Sequence, residues 1–257
     1  MKHSIGFIGG GRVTKILLQG FARKGEEFES VVVFDTNTEV MNALKREFPG
    51  IIHAETASKA AKQDVVFIAL HPPVIMETLG NISADVSCDT IVISLAPKIN
   101  LEKIVSKLPT VKKIVRVIPN ATSYINEGYN PVCFAKSFPS EKKQELLDLL
   151  GMLGHTFEVT ESKLESYAIM SAMLPTYFWF QWKELVEIGQ QIGLNEKECV
   201  EAIYETLNAS LDLMYKSELT PEKVIDLIPV KPIGEHEPQI VEIYRVKLIG
   251  LFEKIKP

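Results

Sequence analysis

The chain has 257 residues, 46% of them hydrophobic and 24% charged, with a formal net charge of −5 at pH 7. That length fills one large core or two smaller ones. The acidic balance, with Lys and Arg scattered rather than clustered, gives no electrostatic reason to bind nucleic acid or an anionic membrane, and it points to a small-molecule partner.

The opening M-K-H-S-I-G-F-I-G has a basic start but only about four apolar residues before glycine, too few for a secretory h-region. No stretch approaches a membrane span, so the expected location is the cytoplasm. Residues 4–8 form the first strand candidate and 13–24 the first helix candidate. Between them run Gly9, Gly10, Gly11, Arg12 and Val13. A glycine turn between a strand and a helix brings backbone close to a pyrophosphate, and the helix N-terminus offers free N–H groups and a positive dipole end. Thr14 stands where such a turn usually has its third glycine, and looser packing of helix on strand is expected there.

The next strand candidate, 30–34, ends at Asp35. A carboxylate at that place accepts hydrogen bonds from a ribose 2′-hydroxyl and repels a 2′-phosphate, and no Arg follows it in D-T-N-T-E, so NADH is favoured over NADPH. Thr36 and Glu39 have the spacing of a capping box for the helix candidate at 38–48. Strand candidates continue at 64–70, 90–94, 113–117, 131–135 and 155–159, with helix candidates at 74–79, 101–108 and 140–153. Alternation of this kind is the pattern of a mostly parallel sheet wrapped by crossover helices. His71 stands at the carboxyl end of a strand, where an imidazole can donate to a carbonyl, an imine or a cofactor amide.

From Glu161 the period becomes helical, with candidates at 162–192, 195–216 and 238–255 and a break at Pro229, Pro232, Gly234 and Pro238. The class is α/β: a Rossmann dinucleotide-binding domain over 1–160, then an all-helical dimerisation and substrate domain over 161–257. Met170, Met173, Phe178, Trp179, Phe180 and Trp182 are more than one face of a monomeric helix can hide, which predicts a homodimer or a larger homo-oligomer. Cys88, Cys133 and Cys199 are far apart and odd in number, which reads as ordinary buried thiols of a reducing compartment, with no metal site.

Several motifs together resemble the pyrroline-5-carboxylate reductase family: G-F-I-G-G-G-R-V at 6–13, A-L-H-P-P at 69–73, I-V-I-S-L-A-P-K-I-N-L at 91–101 and V-R-V-I-P-N-A at 115–121. S-A-M-L-P-T-Y at 171–177 is similar to the family's S-G-S-G-P-A-Y. The resemblance implies a Rossmann domain joined to a helical domain that interlocks with a second subunit. It implies NAD(P)H held by the glycine turn, with nicotinamide near Ala69, Leu70, Pro72 and Asn120. It sets Ser171 and the adjoining backbone beside the substrate, and Ser171 joins His71, which stands where the family usually has a lysine, as a candidate catalytic residue.

The chemistry so implied asks little of side chains. A cyclic imine is protonated near neutral pH, so the electrophile arrives activated and placement supplies most of the catalysis. The chain departs from the family where Ala172, Met173 and Leu174 replace small residues, and where K-P-I-G-E-H at 231–236 replaces S-P-G-G-T-T. These changes predict weak activity on pyrroline-5-carboxylate and a bulkier or less anionic imine or carbonyl substrate. Two other readings stand beside this one: another F420- or NADP-linked Rossmann oxidoreductase, and a cofactor-binding protein without turnover.

Overall fold

The computed structural model describes residues 3–257. The chain divides into two compact units, Met1–Ala172 with Leu251–Pro257, and Met173–Gly250.

The first unit is built in chain order from β1 (Ser4–Ile8), α1 (Arg12–Arg23), β2 (Ser30–Phe34), α2 (Thr38–Glu47), β3 (Ile52–His53), α3 (Ala57–Ala61), β4 (Val65–Ile68) and α4 (Pro72–Ile82). There follow β5 (Ile91–Ser94), α5 (Leu101–Lys107), β6 (Ile114–Val117), β7 (Gly128–Phe134), α6 (Ser140–Gly151), β8 (Gly154–Glu158) and the short α7 (Leu164–Tyr167). The eight strands form one sheet in the order β3-β2-β1-β4-β5-β6-β7-β8. Every neighbouring pair is parallel except β6 with β7. The central strands are apolar along their length because both faces are covered. Ile5 and Phe7 join the core that α1, α2 and α6 close, whereas Ile8, Val66 and Ile68 join the core under α3, α4 and α5. Strand order reverses between β1 and β4, so the glycine turn leaving β1 stands at the switch point where doubly wound sheets bind ligands.

The division between units falls later than residue 160. Segment 161–172 returns to the sheet, with Leu164 and Ala168 buried in the α3–α5 core and Glu161 and Glu165 reaching an arginine of β6. The expected long helix over 162–192 is broken. Ala168–Ala172 forms a π turn and Leu174–Tyr177 a 3-10 turn, because Pro175 carries no N–H for a regular helix interior. Two elements of the first unit have no readable period in the sequence: β3 is a two-residue edge strand with Ile52 exposed, and α3 is a single turn of A-S-K-A-A.

The second unit contains α8 (Trp179–Gln191), α9 (Glu196–Lys216), α10 (Pro221–Asp226) and most of α11 (Glu237–Ile255). Asn195 starts α9 with a reciprocal capping box to Glu198. α8 and α9 meet at Gly189 and Cys199; a Cβ on Gly189 would lie 2.5 Å from the Cys199 sulfur. Apart from these two residues the unit buries none of its described side chains, and Ile192, Tyr215 and Val230 are 77%, 80% and 73% exposed.

Candidate active site

The turn after β1 has two glycines with different duties. Gly9 has φ +106°, and a Cβ there would lie 2.3 Å from the Ala69 carbonyl oxygen, so the residue is required by the backbone itself. Gly11 has φ −73° and ψ −164° and faces open space, with no atom within 4 Å of the point a Cβ would occupy. Nothing within the chain itself requires a glycine there. The first bond of α1 runs from the Lys15 N–H to the Gly11 carbonyl at 3.1 Å, which leaves the N–H groups of Arg12, Val13 and Thr14 ahead of the helical ladder. An open approach ringed by unpaired N–H groups fits a pyrophosphate. Thr14 does not loosen the turn as expected. It is fully buried, and its hydroxyl donates to the Gly9 carbonyl at 2.6 Å, bracing the backbone that a glycine would leave free.

Asp35 follows the end of β2 and is tied to the same turn. Its Oδ2 accepts from the Gly10 N–H at 2.8 Å, and its Oδ1 accepts from the Asn37 N–H at 2.8 Å. An ionised carboxylate has about four acceptor positions, so two bonds leave room for ribose hydroxyls. The cap of α2 is Asn37 rather than the expected Thr36–Glu39 box. Asn37 Oδ1 accepts from Glu39 and Val40 at 2.9 and 3.2 Å, because Asp35 turns the chain one residue later.

Across the switch point, Ala69 N–H donates to the Ile8 carbonyl at 2.8 Å, holding the end of β4 against β1. Ala69 and Leu70 are half-buried, and Pro72 opens α4, where a missing N–H costs nothing. His71 is exposed at the N-cap of α4, and its ring makes no hydrogen bond among the described residues.

Asn120 and Ser171 come together, though not as free groups. Asn120 Nδ2 donates to both the carbonyl and the hydroxyl of Ser171, at 3.2 and 3.0 Å, and Asn120 Oδ1 accepts from the N–H and hydroxyl of Thr122. The Ser171 hydroxyl in turn donates to the Tyr129 carbonyl at 3.1 Å. Both amide donors of Asn120 are spent. Asn120 thus clamps the loop after β6 to the π turn.

A buried ion cluster joins β6 to the segment after β8, and the sequence reading missed it. Arg116 on β6 is fully buried; its Nη1 lies 2.9 Å from Glu161, and its Nη2 pairs with Glu165, which is 2% exposed. Glu161 also accepts from the Leu101 N–H at 2.6 Å and Glu165 from the Lys98 N–H at 3.2 Å, so the cluster pins the whole turn between β5 and α5. Lys98 itself has φ +75°. The visible signal was a lone cation inside the apolar run I-V-R-V, with two glutamates four residues apart downstream.

A groove of about 890 Å³ opens beside α5, β7 and β8, away from the glycine turn, with Cys133 among its lining residues. Burial pushes the Cys133 thiol up to about 11, which makes it an unreactive packing group. Cys199 is likewise buried, but Cys88 is exposed, contrary to expectation, because it lies in the polar S-C-D-T link before β5.

Residues 4–98 match the family model described as NADP oxidoreductase, coenzyme F420-dependent. The chain is 29% identical to the pyrroline-5-carboxylate reductase of Haemophilus influenzae over 213 residues, covering 80% of this chain and 77% of that protein. It is 25% identical to the enzyme of the same name from Corynebacterium melassecola over 225 residues, 86% and 83% of the two chains. Among solved structures it is similar to a pyrroline carboxylate reductase of Plasmodium falciparum with NADP bound, at a TM-score of 0.79 and 20% identity, covering 98% of this chain and 95% of that one. A pyrroline-5-carboxylate reductase of Coxiella burnetii gives a TM-score of 0.69 at 23% identity, with 99% and 95% covered. The resemblance read from the motifs therefore extends over most of the sequence, and the fold is that of these reductases.

Proposed function

We propose that this chain is an NAD(P)H-dependent oxidoreductase of pyrroline-5-carboxylate reductase type, which reduces the C=N bond of a small cyclic imine. The observation that carries the reading is the glycine turn at the switch point, open at Gly11 and bonded through Gly10 to Asp35. When bound, the reduced nicotinamide supplies a hydride to the imine carbon. The residues of the chain do the placing. Gly11 and the first N–H groups of α1 receive the pyrophosphate, Asp35 receives the adenosine ribose, and the turns after β4, β5 and β6 line the nicotinamide end. The cation of a protonated imine already carries the proton that ends on nitrogen, so a strong general acid is not required. His71 is exposed at that edge, where its ring can donate to the substrate or to the cofactor amide.

NADH is the preferred donor in this reading, because Asp35 places a negative charge where a 2′-phosphate would sit. Oxidation of NADH and NADPH with pyrroline-5-carboxylate, beside a panel of other imines and ketones, tests both points. Turnover with NADH favoured is expected, at a kcat/KM on pyrroline-5-carboxylate below the usual range of about 10⁴–10⁸ M⁻¹s⁻¹ on account of Ala172 and Met173. No oxidation with any compound overturns the function, and a preference for NADPH overturns the role of Asp35.

The working unit is a homodimer or a larger homo-oligomer of the cytoplasm. Support comes from the second unit, where Trp179, Phe180, Leu185, Ile188 and Ile192 are all exposed on or just after α8, too much apolar surface for a helix that works alone. Light scattering at micromolar concentration is expected to give at least twice the monomer mass, and a monomer sinks this assignment.

A further inference from the structure

We propose that Thr14 is a positioning residue for the cofactor: its hydroxyl locks the Gly9–Gly10 peptide group and, through that group, holds Asp35 in the orientation that separates NADH from NADPH. This role rests on the reductase reading above and adds to it what sets the choice of cofactor.

The peptide group between Gly9 and Gly10 is held at both poles. Its carbonyl, on Gly9, accepts the Thr14 hydroxyl at 2.6 Å, and its N–H, on Gly10, donates to Asp35 Oδ2 at 2.8 Å. The atoms on either side are fixed independently: the Gly9 N–H donates to the Phe34 carbonyl at 2.7 Å, and Asp35 Oδ1 accepts the Asn37 N–H at 2.8 Å. A peptide group turns over by opposite changes in the ψ before it and the φ after it, and glycine on both sides removes the Cβ atoms that ordinarily choose one orientation. Hydrogen bonds must make the choice here. Thr14 is fully buried, so its bond to Gly9 is made without competition from water. A glycine at position 14 would leave the same peptide group held at its N–H alone.

Asp35 is where the lock has its effect. The carboxylate reaches Gly10 only while the N–H faces it; with the peptide group turned over, the Gly9 carbonyl would meet the carboxylate oxygen against oxygen, and Asp35 would swing away from the turn. Locked, the bond fixes one carboxylate oxygen and leaves acceptor positions for ribose hydroxyls. The phosphate turn and the ribose carboxylate thus form one pre-set unit with a buried hydroxyl at its base, and little ordering is left for the moment of binding.

The test uses the full chain, with NADH and NADPH titrated separately by nicotinamide fluorescence. Thr14→Val keeps the shape of the side chain and removes the hydroxyl. It is expected to weaken NADH binding roughly tenfold, through the loss of one buried hydrogen bond and of the order it imposed. It should also narrow the preference for NADH over NADPH by about threefold or more, because a released Asp35 no longer guards the 2′ position. Thr14→Ser should restore both. In an Asp35→Ala background, Thr14→Val should still weaken both dinucleotides but leave their ratio where Asp35→Ala has put it. A role in packing alone would lower the melting temperature and leave both affinities as in the parent. An unchanged ratio in Thr14→Val, or a change in ratio that adds in full to that of Asp35→Ala, overturns the proposal. A parent protein that prefers NADPH overturns it together with the role of Asp35. If the parent binds neither dinucleotide, the reductase reading fails by itself, and amide hydrogen exchange decides Thr14: exchange of the Gly10 N–H about tenfold faster in Thr14→Val sustains the lock, and unchanged exchange overturns it.

Discussion

Replacing Gly11 with valine should lower dinucleotide affinity by roughly a hundredfold to ten-thousandfold, the equivalent of about two charge-assisted hydrogen bonds at ~1.5–3 kcal/mol each. The fold should survive, because Gly11 has φ −73° and nothing within 4 Å of where a Cβ would project. The branched side chain then occupies only the space through which a pyrophosphate must approach. Gly9→Ala serves as the contrast. There the added methyl would meet the Ala69 carbonyl oxygen at 2.3 Å on a backbone with φ +106°, so that variant should lose stability first and cofactor only as a result. Titration of nicotinamide fluorescence, run beside a melting curve, separates the two. An unchanged affinity in Gly11→Val would remove the phosphate assignment.

Glu165→Ala should cost about 3–5 kcal/mol of stability, since it strips the main partner from an arginine with no exposed surface. Arg116 Nε already lacks a partner, and its Nη2 would keep only the Ala96 carbonyl at 3.5 Å, so the cluster has little reserve. Glu161 is 32% exposed and compensates only in part. The double change Arg116→Met with Glu165→Leu should recover much of the loss, because two apolar residues leave no unpaired charge behind. Chemical denaturation of the parent, Arg116→Met, Glu165→Leu and the double variant gives the cycle, with Glu165→Ala measured beside them. A Glu165→Ala protein as stable as the parent would mean that the cluster is not what closes the β5–α5 turn.

The parallel sheet was legible because its strands are short β-branched runs buried on both faces, and β1 and β2 begin and end at the residues expected. The glycine turn and Asp35 were legible for a related reason: a strand, a turn and a helix in that order admit few alternatives. The features that stayed hidden depend on distance in the sequence. Arg116 finds its partners forty-five and forty-nine positions later, and no local period announces such a pairing. Asn120 was legible as a polar residue of the loop after β6, but its bond to Ser171 was not, since the direction an amide faces is decided by tertiary placement. Lys98 gave no sign at all, because a left-handed lysine has the same letter as any other. The division at 172/173 was hidden because segment 161–172 is helical in period, like α8 and α9 after it, yet spends its apolar face on the sheet.

The return of Leu251–Pro257 to the first unit sets an order of events during synthesis. Ile255 packs against the core under α3, α4 and α5, but Met173–Gly250 must be made before it emerges. At translation rates of ~5–20 residues per second, those roughly 80 residues take about 4–16 s, far longer than the collapse of a domain this size. The sheet of the first unit therefore has several seconds to assemble before Leu251–Pro257 can reach it, and that segment docks on a core already formed.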